Sequence, residues 1–195
     1  MRFRVTAAIV LAAVPALTAG CAASTSSAPS ARVHHYERDG VSFDYPSRWK
    51  HRDWCWEGTT VTPLVVLTTT SAAPACDPTR TPWFPPETLG RNGLSVWWDL
   101  GGAPGLRWSP TVRNSPPTRI DGQPARTAVL TPHSRQWSIT GCSGTGGTLA
   151  MITEVAASAA DNYYDMTACV RGPHFTANER AVRRMLASVR FRRSS

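Results

Sequence analysis

The chain has 195 residues and a formal net charge of +8, with 21 lysine and arginine side chains against 13 aspartates and glutamates. This length suits one domain plus a tail and can build a sizeable core without a structural metal. The positive charge is almost all arginine, Lys50 being the single lysine, and no nucleic-acid-binding motif accompanies it, so nucleic acid is not an expected partner.

The first element in chain order is a leader. Arg2 and Arg4 precede an apolar run from Val5 to Leu17, and no acidic residue occurs before Glu37. Thr18-Ala19-Gly20-Cys21 closes the run. It resembles the lipobox of bacterial lipoproteins, an aliphatic residue followed by two small residues and a cysteine. Leu17 stands one place upstream of the usual aliphatic position, and Thr18 fills that place. The resemblance implies a signal peptide over 1–20, lipidation of Cys21 and an outward-facing protein held at the cell membrane. Two or more acyl chains, palmitate among them, give stable anchoring where one does not. A membrane-spanning reading fails on length, because Val5 to Gly20 is shorter than the roughly 20 residues that cross hydrocarbon and Pro15 interrupts it. An ordinary secretory cut near Ala22-Ala23 is the other alternative. Residues 21–31 are small and polar, cannot bury enough apolar area to offset their ordering entropy, and are expected to form a flexible tether. Residues 32–195 are then the extracytoplasmic domain.

With Cys21 consumed by lipid, Cys55, Cys76, Cys142 and Cys169 remain. An even number in an exported domain points to disulfides. Three pairings are open, and Cys55–Cys76 with Cys142–Cys169 is favoured because each joins segments close in sequence. No C-x-x-C pair is present to hold a metal.

Val41-Ser42-Phe43-Asp44-Tyr45 alternates apolar and polar residues up to Pro46, a half-buried strand. Further strands are expected at Val61–Thr70, Leu94–Trp98, Ala125–Leu130, Trp137–Cys142, Thr148–Val155 and Tyr163–Val170. Asp121-Gly122 fits a tight turn, and Ser143 to Gly147 a loose hairpin loop pairing the strand ending at Cys142 with the one starting at Thr148. Pro78–Pro86 and Pro110–Pro117 read as ordered loops or sheet edges and argue against long helices there. The last element is a helix with Thr176 as N-cap and Glu179 completing a capping box. Its apolar stripe is Val182, Met185, Leu186 and Val189, and Phe191 follows in a short final strand.

Gly40-Val41-Ser42-Phe43-Asp44-Tyr45-Pro46-Ser47-Arg48-Trp49 resembles the opening strand of Mog1/PsbP-like domains, which reads G-hydrophobic-x-F-x-Y-P-x-x-W. Ile120-Asp121-Gly122-Gln123-Pro124-Ala125 is similar to their mid-domain turn, and Met185 to Phe191 to their closing helix and strand. The resemblance covers roughly 36–192. It implies a single α+β domain, an antiparallel sheet flanked by few helices, with binding or accessory roles and no catalytic residues to carry over.

The candidate chemistry is sparse. Gly141-Cys142-Ser143-Gly144-Thr145-Gly146-Gly147 lacks the Lys-Ser/Thr ending of a phosphate loop and the spacing of a nucleophile elbow. His34, His35, His51, His133 and His174 form no metal-ligand spacing, and no acid/base pair stands out among the carboxylates, Asp44 and Glu154 included. No cofactor or metal is expected. Trp97 and Trp98 must point to opposite faces of a strand, so one can be surface-exposed. Together with Arg107, Trp108 and Arg113 they are the candidate ligand-binding residues, because stacking and bidentate hydrogen bonding suit glycan or aromatic ligands. The expected role is non-enzymatic binding at the envelope, with an anionic wall polymer, a lipid or another envelope protein as partner. An envelope hydrolase or transferase whose site assembles only on folding is the alternative, and a lipoprotein whose sheet edge pairs with a partner strand is a third reading.

Overall fold

The computed structural model describes residues 32–52, 61–70, 88–102, 108–157, 162–172 and 175–192. The leader, the tether with Cys21, the expected Cys55–Cys76 pair and Pro78–Pro86 lie outside the described residues. The strands are β1 (Val33–Arg38), β2 (Val41–Pro46), β3 (Lys50–Arg52), β4 (Val61–Thr68), β5 (Leu94–Gly102), β6 (Pro117–Ile120), β7 (Gln123–Leu130), β8 (Leu149–Val155), β9 (Asn162–Val170) and β10 (Arg190–Phe191). The helix α1 spans Phe175–Ser188. A small sheet runs β1-β2-β10 and a large one β3-β4-β5-β9-β8-β7-β6. Every pairing is antiparallel. The described residues thus form the expected single domain, an antiparallel β-fold with one helix near the C-terminus.

Two hairpins owe their register to residues that tolerate positive φ. Asp39-Gly40 (φ 49° and 80°) turns β1 into β2, and Asp121-Gly122 (48° and 77°) turns β6 into β7. In β2 the alternation buries Val41, Phe43 and Tyr45. Phe43 stacks on Trp98 with centroids 5.4 Å apart and on Tyr36 at 4.9 Å. On α1, Val182, Met185, Leu186 and Val189 are buried as the 3.6-residue stripe requires, and they join the same cluster. This core lies on one face of the large sheet, under α1 and the small sheet. A second, smaller cluster of Leu89, Trp97, Val112, Cys142, Ala150, Ile152 and Cys169 lies on the opposite face. Strand alternation sends Trp98 to the first face and Trp97 to the second.

The expected strand at Trp137–Cys142 is not formed. Trp137–Ile139 and Cys142–Thr145 are 3₁₀ turns, punctuated by Gly141 and Gly146 in left-handed conformations. The alternating Trp-Ser-Ile-Thr pattern finds no partner because β7 already occupies that side of β8, from Ala125 opposite Val155 to Leu130 opposite Ala150. The hairpin expected through Ser143–Gly147 is therefore replaced by a compact turn, in which the Thr145 hydroxyl donates to the Cys142 carbonyl at 2.8 Å. The Cys142–Cys169 disulfide is present and ties this turn to β9. At the helix start, α1 already includes Thr176, so the capping box is not the arrangement found. Glu179 pairs with Arg183 one turn on, at 2.7 Å.

Candidate functional site

The second face of the large sheet carries an unusual row of ionisable side chains. On β5, β9 and β8 the residues two places beyond Trp97, Thr167 and Ile152, on the same face as these, are Asp99, Asp165 and Glu154. Register sets them side by side, with Asp99 opposite Asp165, Asp165 opposite Glu154, and Glu154 opposite Arg126 of β7. Neighbouring strands stand about 4.8 Å apart, so the three carboxylates form a line about 10 Å long rather than a ring. This agrees with a second fact: among the described residues, no three His, Cys, Asp or Glu side chains converge well enough to hold a metal ion.

Each member has a different environment. Glu154 is buried at 3% exposure, and its Oε2 accepts a hydrogen bond from the Ser109 backbone N–H at 3.0 Å. Asp99 and Asp165 are only half-buried as residues, yet one oxygen of each, Oδ1, is sealed from solvent without a hydrogen-bond partner. Burial pushes the Asp99 carboxyl up to about 7. Burial, then the charges of Glu154 and Asp99, push Asp165 up to about 8. Two carboxyls that ordinarily ionise near pH 4 therefore hold protons around neutrality.

Aromatic groups flank the row. Gly101 faces Tyr163 across the β5–β9 pair, and a Cβ at Gly101 would come within 2.9 Å of the Tyr163 ring. Glycine is thus what lets that ring lie against β5, one same-face step along from both Asp99 and Asp165. Burial and the charges of Asp165 and Glu154 raise the Tyr163 hydroxyl above its usual range. At the other end, the Arg126 guanidinium stands 5.6 Å from the centre of the Trp108 ring, and its Nη1 donates to the carbonyls of Arg113 and Ser115. Chemically, the row can hold and release protons, and a positive group that reaches the half-buried Asp99 and Asp165 side chains would offset the cost of their unpartnered oxygens.

Among the described residues, the sequence-derived ligand residues do not assemble into an exposed patch. Trp97 and Trp98 are both buried, at 5% and 0% exposure, in the two separate clusters. Trp108 is half-buried under Arg126, Arg113 is exposed, and Arg107 lies outside the described residues. His35 bonds Asp44 at 2.8 Å on the surface. Asp99 and Asp165 were not legible as a pair, because they lie on different strands and only the register joins them. Their signal is a carboxylate embedded in an apolar strand at the parity of buried neighbours, in Trp97-Trp98-Asp99-Leu100 and Tyr163-Tyr164-Asp165-Met166. Comparison of the chain with protein-family models and with curated proteins gives no match.

Proposed function

We propose that this is a lipid-anchored, outward-facing envelope protein whose folded domain is a non-enzymatic binding or accessory module, and that the group it binds is cationic. The observation that carries the reading is the pair of sealed, unpartnered oxygens on Asp99 and Asp165 within one cross-strand row. A buried carboxylate without a partner is costly, and an ammonium or guanidinium group from a ligand removes that cost. A linear array suits hydrogen-bonding organic cations better than a metal ion, which needs converging ligands. The Tyr163 ring beside the row adds a face that attracts cations. The envelope location is supported by the lipobox-like Leu17 to Cys21 and the tether-like composition that follows. A Mog1/PsbP-like assignment is supported by the neighbouring placement of two of its three quoted motifs, the first and the last, since β10 pairs with β2, Phe191 opposite Val41.

One observation favours a second reading, an envelope hydrolase or transferase. Asp99 and Asp165 are adjacent carboxyls whose pKa values of about 7 and about 8 suit general acid/base work near neutrality. Calorimetric titration with spermidine tests the first reading. Affinity should rise about tenfold or more from about pH 6 to about pH 8.5, with measurable proton release, as cation binding competes with protons at shifted carboxyls. Binding should vanish in D99N/D165N. An affinity independent of pH, or one unchanged in that variant, would sink the cation-binding reading.

A further inference from the structure

The outer side of α1 is as basic as the opposite face of the sheet is acidic. Arg180, Arg183 and Arg184 are all exposed on the side away from the buried stripe. Glu179 is the one acid of the helix and is engaged by Arg183. Arg180 and Arg184 have no acidic partner among the described residues. Beside the helix, a shallow hollow of about 280 Å³ opens between α1 and the β6–β7 hairpin, lined by Thr118, Arg119, Asp121, Thr127, Arg183 and Leu186. The Arg119 Nη1 donates to the Gly122 carbonyl at 2.6 Å, which holds its guanidinium at the rim. Arg190, just past the helix, is exposed and stands 3.9 Å from Asp121. Five arginines thus share one side of the molecule with Glu179 and Asp121, and Asp44, paired with His35, lies at the end of the helix.

The chain enters the folded domain close to this side. Val33 pairs with Pro46, and the Arg32 carbonyl accepts from the Ser47 N–H at 2.9 Å. Asp44, on the same strand, donates its N–H to the hydroxyl of Ser188, the last residue of α1. The eleven residues from Cys21 to Ala31 reach at most about 40 Å when fully extended.

We propose that this face of α1, with the Arg119–Arg183 hollow, docks on the anionic headgroups of the lipid leaflet that holds the chain. The inference rests on the lipid-anchor reading for its setting. Guanidinium forks match phosphate oxygens in pairs, and each cationic side chain near an anionic surface adds to the attraction within a Debye length. A short tether raises the effective concentration of the face at the surface, so contacts of modest affinity in the free chain suffice to orient an anchored one.

The test uses the unlipidated chain from residue 21 onward with Cys21→Ser, which retains every residue of both core clusters. It is co-sedimented with vesicles of phosphatidylcholine alone or mixed with phosphatidylglycerol. The chain should bind only the mixed vesicles, release in high salt, and lose at least about thirty-fold in association constant as R180E/R184E, while R180K/R184K stays close to the parent. Circular dichroism melts that coincide for all three chains show that the variants are folded. Equal binding to both vesicles, or R180E/R184E binding like the parent, overturns the proposal. Displacement from mixed vesicles by soluble polyphosphate at equal phosphate assigns the face to an anionic polymer instead and also overturns it. Because the chain carries no lipid, the result stands whether or not Cys21 is acylated.

Discussion

Asp165 illustrates how one side chain can hold stability and binding in opposition. With its carboxyl raised to about 8 and that of Asp99 to about 7, the folded chain keeps protons that the unfolded chain gives up near pH 4. Protons bound in excess by the folded state mean that stability falls as pH rises. The contribution of these two groups is complete below about pH 4 and is lost through pH 7 to 8. Asp165→Asn keeps the shape and removes the charge. It should melt like the parent at about pH 3.5 and be more stable at about pH 8.5 by on the order of 2 kcal/mol. Thermal melts of the two chains at both pH values check this, and parallel behaviour at the higher pH would remove Asp165 as a charged, unpartnered group. The row thus contributes least to stability at the pH where it is best prepared to receive a cation.

At the scale of elements, β9 organises the domain. It lies between β5 and β8 in the large sheet, supplies Asp165 to the row and Tyr164 and Met166 to the main core, and is fastened through Cys169 to the turn at Cys142. Closing a loop of 27 residues by a disulfide should contribute about 3 kcal/mol. C142A/C169A is therefore expected to lower the denaturant midpoint by that equivalent, measured by tryptophan fluorescence. The elements that sequence pattern reveals are those with strong periodicity. Val41 to Tyr45 alternates cleanly, Val182 to Val189 repeats at 3.6 residues, and both appear as read. Trp137 to Cys142 alternates too but fails as a strand, because pairing is decided by which neighbour is available and pattern alone does not contain that. The acid row is hidden for the same reason. Asp99, Glu154 and Asp165 are far apart or unpatterned in sequence, and register alone makes them neighbours. The tryptophan-based ligand face has the opposite fate, since the size that makes Trp97 and Trp98 good stacking groups also makes them the best fillers of two cores.

For the molecule as a whole, the large sheet is a partition. Its α1 side presents arginines, and its other side presents the carboxylate row, so a domain resting on α1 turns the row away from the surface beneath it. The proposed lipid anchor has a direct check. In high salt, which releases contacts to anionic headgroups, Cys21→Ser should move the protein from the membrane fraction to the soluble fraction of the envelope, and retention in the membrane fraction under that wash would remove the lipid anchor. The outer strands of the same sheet have a consequence of their own. Among the described residues, β3 is three residues long and reads Lys50-His51-Arg52, while β6 is four residues long, opens with Pro117 and exposes Arg119. A strand arriving at the first meets repulsion from another cationic chain, and one arriving at the second finds a missing amide hydrogen and little length to grip. Growth by strand addition is thereby discouraged at both ends, and crowding of many copies on one surface does not have to end in fibrils.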